Sequence, residues 1–121
     1  MKYLLRAAIA LSLTSAAFGS VKMIADIKLN KETIKLDQTV EEDQIYTFTA
    51  NESLINIIVP KSKTSGQHNF KFKAFKRKNL DLVANGDGEI IMKDGQEATM
   101  SMTDKKSKEE IKLKITIQGN L

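Results

Sequence analysis

His68 is the first residue to consider as a catalytic or metal-binding group, because it is the only histidine in the 121-residue chain. It lies in a stretch rich in serine, threonine and glycine, next to a basic segment. Zinc sites need several nitrogen or sulfur ligands, and the chain has no second histidine and no cysteine. A Ser-His-Asp triad would have to use His68 as its base, and no Gly-x-Ser-x-Gly elbow accompanies it. We therefore expect His68 to be a solvent-exposed loop residue.

Two groups of oxygen-bearing side chains are the next candidates. Glu41, Glu42 and Asp43 are consecutive and Asp37 is close to them, but adjacent acids in a loop are usually solvated. A glycosidase that used them would need aromatic sugar platforms, and the chain has no Trp and only two Tyr. Residues 85–89 (Asn-Gly-Asp-Gly-Glu) suit calcium chemically, but they do not match an EF-hand loop. We predict no catalytic residues, no metal site and no cofactor.

Residues 69–78 combine basic and aromatic side chains. Alternation along a strand would place Phe70, Phe72 and Ala74 on one face and basic residues around Phe75 on the other. Basic residues around an exposed aromatic ring are typical of polyanion sites. The alternative is an edge strand whose lysines prevent sheet-to-sheet aggregation. The candidate binding face consists of Lys71, Lys73, Phe75, Lys76, Arg77 and Lys78.

The distribution of charge supports this candidate. From Lys61 to Lys78 there are seven basic residues and no acid, whereas from Asp26 to Glu52 there are seven acids against three lysines. The domain would then carry one basic and one acidic face. The alternative is that these runs are solvated strand faces and loops, which is the usual meaning of charge runs.

The N-terminus has the three parts of a secretory signal peptide. Lys2 and Arg6 are followed by an apolar stretch and by the small-residue exit Ala17-Phe18-Gly19. The apolar stretch is interrupted by polar residues and is shorter than the roughly 20 apolar residues that a membrane span needs. We predict a signal peptide over residues 1–19, with cleavage after Ala17 as the alternative, and no membrane span after cleavage.

The rest of the chain, residues 20–121, is long enough for one domain with an ordinary core. Without Lys2 and Arg6 it has 17 basic and 15 acidic residues, so its basic character does not by itself argue for a nucleic-acid partner. An exported domain of this size without cysteine suits a bacterial periplasm or exterior, because small eukaryotic secreted domains usually carry disulfides. We therefore predict a periplasmic or secreted protein.

Hydrophobic residues in this domain recur with a period of two, which predicts half-buried strands. The clearest alternation lies within the ranges 21–29, 34–36, 46–50, 70–74, 98–102 and 111–117. Leu54–Val59 is nearly continuous in apolar residues, which predicts a strand buried on both faces, and Pro60 ends it.

Turn residues separate these segments. Residues 85–88 predict a turn between strands at 80–84 and 89–92, and Asp94-Gly95 predicts a two-residue hairpin. The result is eight or nine short strands with short connections, and these favour antiparallel pairing. The fold class is therefore all-β, a small antiparallel β-sandwich or a partly open barrel.

Glu89–Met102 followed by Glu110–Gln118 resembles the strand, Asp-Gly-Gln-x-Ala turn and strand of bacterial secretin-type domains and of small exported proteins that carry this unit. The proline that typically precedes the first strand in that family is missing, and so is the glycine after the second. The resemblance implies a β-hairpin in an envelope protein and does not imply a channel.

Three functions are compatible with these features. The first is a non-enzymatic envelope module that binds an envelope protein or an anionic envelope polymer through a strand edge or the basic face. The second is a fibre subunit that self-associates by strand addition, for which the alternating C-terminal strand is the only indication. The third is an inhibitor of a secreted hydrolase, with the loop at 61–68 entering the enzyme cleft.

Overall fold

The computed structural model describes residues 19–103 and 109–119. The signal peptide lies outside these ranges except for Gly19, so it stays a prediction. In the ranges described, the chain forms strands and short turns, and no helix there is long and apolar enough to cross a membrane.

The predicted all-β class is confirmed by eight strands. They are β1 (Ser20–Leu29), β2 (Glu32–Glu41), β3 (Ile45–Thr49), β4 (Ser53–Ile58), β5 (Gln67–Lys78), β6 (Asp81–Lys93), β7 (Glu97–Thr103) and β8 (Glu110–Gly119). They form two four-stranded sheets, which we call sheet A (order β2-β1-β8-β7) and sheet B (order β3-β4-β5-β6). Every pairing is antiparallel.

The first and last strands are neighbours in sheet A. In the β1–β8 ladder, Val21 pairs with Gly119 and Leu29 pairs with Ile111. The start of β1 and the end of β8 therefore lie at the same end of the sandwich. The start of β5 and the end of β6 also lie at this end, since Gln67 pairs with Lys93 and the next residue, Asp94, contacts Gly119. The turn between β5 and β6 therefore lies at the opposite end.

Alternate residues of the strands face inward and form one core between the sheets. Its least exposed large side chains include Met23, Ile27, Phe48, Ile55, Phe70 and Ile115. The predicted alternation is therefore confirmed, but the prediction that Leu54–Val59 is buried on both faces is wrong. Ile55 and Ile57 are buried, whereas Leu54 and Ile58 are only half-buried on the outer face of sheet B.

The turn predicted at residues 85–88 is also wrong, because β6 continues through these residues. The hairpin turn is instead at Asn79-Leu80, where Asn79 has a φ of 58°. Within β6 the ladder to β5 shifts by one residue near Asn85, which is a β-bulge. The glycines allow close approach across the core: a Cβ on Gly86 would lie 2.5 Å from Ile111 Cδ1.

The Asp94-Gly95 turn is present, but it does not make the predicted hairpin. The strands that it connects belong to different sheets, since β6 pairs with β5 and β7 pairs with β8. The main chain of the turn makes hydrogen bonds to the residue before β5 and to β8: Asp94 N–H donates to Gly66 O at 2.9 Å and Gly95 N–H donates to Ile117 O at 2.8 Å. These contacts come from distant parts of the chain, so local sequence could not distinguish this corner from a hairpin.

Candidate functional site

The structure distributes the six residues of the candidate binding face over three places. Lys71, Lys73, Phe75 and Arg77 alternate with the buried residues of β5, so they belong to the outer face of sheet B. Lys76 is on the inward side of the strand, and Lys78 ends β5 beside the hairpin turn. The candidate face is therefore not one continuous surface.

Lys76 contacts a partly buried acid. Its Nζ lies 3.2 Å from Glu109 Oε1, while Glu109 Oε2 accepts hydrogen bonds from Asn30 Nδ2 at 2.8 Å and Asn85 Nδ2 at 3.2 Å. The hydrogen bond from Asn30, followed by those from Lys76 and Asn85, lowers the pKa of Glu109 against the opposing effect of burial. Asn30 also exchanges hydrogen bonds with the main chain of Glu110, at 2.8 Å each way. The Glu109 carboxylate thus connects the β1–β2 turn, β5 and β6 at one end of the sandwich.

The lysines that do lie on the outer face of sheet B have acids opposite them on β6. Lys71 pairs in register with Glu89, and Lys73 pairs with Asp87. Opposite charges across an antiparallel pair attract each other. Lys73 Nζ also lies 5.5 Å from the centre of the Phe75 ring, within cation–π range. Two lysines of the basic strand therefore have an acid opposite them in their own sheet, whereas Arg77 is opposite Leu82.

The tip of the β5–β6 hairpin was not identified from the sequence. Residues 77–84, which we call the arm, are eight consecutive exposed residues. They include Leu80, which is 100% exposed, Leu82 at 50% and Val83 at 41%. In the sequence, only the Leu-Asp-Leu-Val run after Asn79 indicates this apolar tip, and its pattern predicts a separate strand at 80–84. In the fold, this run extends beyond the core.

His68 is not the exposed loop residue that was expected. It belongs to β5, is only 8% exposed, and donates from Nε2 to Asp94 Oδ1 at 2.7 Å. Its Nδ1 is buried and makes no hydrogen bond to a described residue. With one nitrogen bound to a carboxylate and the other enclosed, His68 has the geometry of a structural residue.

Two residues of the 41–43 cluster make hydrogen bonds near the corner between β2 and β3, one through its carboxylate and one through its main chain. The Asp43 carboxylate accepts the N–H of Lys61 at 2.9 Å, and the N–H of Glu41 donates to the Tyr46 hydroxyl at 2.6 Å. Among the residues that the structure describes, no three His, Asp or Glu side chains converge in a way that could hold a metal ion.

A cleft of about 700 Å³ opens beside Glu109, between the β1–β2 and β3–β4 turns. Its charged lining is mixed and consists of Lys28, Lys31, Glu32, Glu52, Lys76, Glu109 and Glu110. The carboxylate of Glu32 accepts the N–H of Glu52 at 3.2 Å and 3.3 Å. These contacts join the turns at the end of the sandwich and do not form a nucleophile–base pair.

Comparison of the chain with protein-family models, with curated proteins and with solved structures gives no match.

Proposed function

We propose that this chain is an exported, non-enzymatic binding module of a bacterial envelope, periplasmic or secreted, which contacts an envelope protein through its arm. The observation that carries this proposal is the exposure of all eight residues 77–84. The arm presents Leu80, Leu82 and Val83 to solvent. Exposed apolar patches rimmed by charge are typical of interaction surfaces, and Arg77, Lys78 and Asp81 supply that rim.

The backbone of the arm offers a second type of contact. β6 is an edge strand of sheet B, so one side of its ladder has no partner strand among the described residues. A two-stranded ribbon is only marginally stable in water by itself, and an extended partner segment can add to such an edge. Apolar side chains and an open ladder on the same segment together favour a protein partner.

A fibre subunit that assembles by strand addition is the second candidate, but the strand that supports it is β6 and not the C-terminal strand. The C-terminal strand that first suggested it is β8, which is paired on both sides, with β1 and β7. The edge of β6 supports it instead, because residues 79–86 contain a single charge, Asp81. Natural edge strands are usually protected by lysines, prolines or inward-pointing charges.

The test starts with the full chain, expressed from Met1 in a bacterium with a C-terminal tag. We expect the purified protein to begin at Ser20 and to be recovered from the periplasm or the medium. Mass spectrometry of its N-terminus checks the first point. A chain that keeps Met1 and stays in the cytoplasm would overturn the export part of the proposal.

Cross-linking pull-downs from envelope extract then test the arm. We compare the unchanged chain, the variant Leu80→Ser/Leu82→Ser, and the matched control Ile24→Ser, which removes an apolar residue (43% exposed) from the outer face of sheet A. A protein captured by the unchanged chain and the control, but lost with the arm variant, supports the proposal. Equal capture by all three overturns it. Recovery of only the chain itself, lost in the arm variant, favours the fibre subunit.

A further inference from the structure

The outer face of sheet A gathers four lysines from three strands. Two neighbouring cross-strand rows carry them: Lys35, Asp26, Lys114 and Thr99 form the first row, and Thr33, Lys28, Lys112 and Ser101 form the second. All eight residues are exposed, and they line a depression of about 510 Å³. We call these eight residues the lysine depression.

The charge of the lysine depression is unbalanced. It contains four ammonium groups and one carboxylate, Asp26. Lys112 lies 3.1 Å from Glu110 and Lys114 lies 4.0 Å from Glu97. Lys35 is opposite Asp26 in the β1–β2 ladder, but among the residues that the structure describes no carboxylate lies within 4.0 Å of the ammonium group of Lys28 or Lys35. Neighbouring strands are about 4.8 Å apart and alternate residues about 7 Å apart. Each of the four charges therefore has at least one other within about one Debye length at physiological salt.

One pairing is unfavourable for the fold itself. Lys28 and Lys112 are directly opposite each other in the β1–β8 ladder, and like charges in such positions repel. Protection of an edge strand could explain Lys35 on β2, but β1 and β8 are interior strands of the sheet. Ion pairs with Glu110 and Glu97 account for Lys112 and Lys114. Lys28 is therefore the lysine that neither stability nor edge protection explains.

We propose that the lysine depression binds an acidic polysaccharide. Lysine ammonium groups on flexible stems can follow carboxylate, sulfate or phosphate groups spaced along a polymer without a fixed geometry. The hydroxyls of Thr33, Thr99 and Ser101 can donate to or accept from sugar hydroxyls. The lining includes no aromatic ring on which a neutral sugar could stack, so recognition depends on charge. This site is separate from the arm, and the proposal does not depend on the arm binding a protein.

The test compares the full chain, expressed from Met1, with two variants of equal net charge. One removes the site (Lys28→Gln, Lys35→Gln, Lys112→Gln, Lys114→Gln). The control removes four exposed lysines elsewhere (Lys61→Gln, Lys71→Gln, Lys73→Gln, Lys93→Gln). The probes are heparin, polygalacturonate and vesicles of phosphatidylcholine with phosphatidylglycerol, with binding measured by titration at two salt concentrations.

We expect the site variant to lose at least about tenfold in affinity for both polysaccharides, and the control to lose about twofold or less. Binding to the unchanged chain should weaken as salt rises. Equal losses in the two variants, or no polysaccharide binding by the unchanged chain, would overturn the proposal. So would site-dependent binding to the vesicles alone, because the surface would then recognise a membrane. The double variant Lys28→Gln/Lys112→Gln relieves the like-charge pair, so it keeps the test informative if the fourfold variant fails to fold.

Discussion

Asp94 Oδ1 accepts two hydrogen bonds, one from His68 Nε2 at 2.7 Å and one from the main-chain N–H of Gly119 at 2.5 Å. This single oxygen therefore joins the start of β5, the corner between the sheets and the end of β8. The hydrogen bond from His68, and then the one from Gly119, lower the pKa of Asp94.

The Asp94 contact predicts a specific dependence of stability on pH. Because the pKa of Asp94 is lower in the folded chain than in the unfolded one, its contribution is complete above its ordinary pKa and is lost as the pH falls through the folded value. We expect Asp94→Asn to destabilise the fold at neutral pH and to cost less under strongly acidic conditions. Urea denaturation of both proteins at several pH values measures this, with exposed Asp87→Asn as the control. An Asp94→Asn effect that is the same at every pH would contradict the prediction.

Glu109 should be more important for stability than other acids of the chain. Its side chain is 13% exposed and accepts hydrogen bonds from Lys76, Asn30 and Asn85. We expect Glu109→Ala to lower the free energy of unfolding by about 1–3 kcal/mol, because it leaves three partly buried donors without their shared acceptor. Glu97→Ala is the control, since Glu97 is about half-exposed and only 4.0 Å from Lys114; it should cost less than about 1 kcal/mol. Equal costs in chemical denaturation would argue against a structural role for Glu109.

Tyr46 should ionise at higher pH than a free tyrosine. Burial raises its pKa, although the N–H of Glu41, which donates to the hydroxyl, acts in the opposite direction. A raised folded pKa means that stability is complete below the ordinary tyrosine value and is lost as the pH rises through the folded value. Absorbance titration of the purified protein that begins at Ser20, in which Tyr46 is the only tyrosine, should give a pKa above that of the same protein in denaturant. Coincident curves would refute this prediction.

Gly86 should be coupled to Ile111 through space. A Cβ at position 86 would lie 2.5 Å from Ile111 Cδ1, and that methyl is in the core. We expect Gly86→Ala to cost about 1–3 kcal/mol from overpacking. Ile111→Val removes Cδ1, so Gly86→Ala should cost clearly less in that background. A double-mutant cycle in urea measures the coupling, and additive effects would show that the methyl is not the cause.

The sequence was sufficient for the strands and their inward faces, because alternation is a local property. Residues Ile111, Leu113 and Ile115 show this, and each is buried as expected. It was not sufficient for residues 85–88, since a glycine that makes room for a core side chain looks the same in sequence as a glycine that makes a turn. Only the fold distinguishes the two.

The candidate sites depended on contacts that sequence does not reveal. His68 contacts Asp94, which is 26 positions away, so its burial could not be predicted from its polar neighbours. The contiguous basic run around Lys71 predicts a basic face, but in the fold β6 places acids opposite Lys71 and Lys73. The lysine depression could not be predicted because two of its lysines are on β8 and one each on β1 and β2, and these strands become neighbours only when β8 pairs with β1.

The pairing of Val21 with Gly119 also determines how the molecule would respond to mechanical tension. The two strands are antiparallel and end side by side, with their hydrogen bonds perpendicular to the strands. A force that pulls the start of β1 away from the end of β8 therefore acts on one rung at a time and unzips the ladder, instead of shearing all the rungs together. If the chain works in an assembly under strain, that strain has to pass through lateral contacts such as the edge of β6, because the junction between its first and last strands yields by peeling.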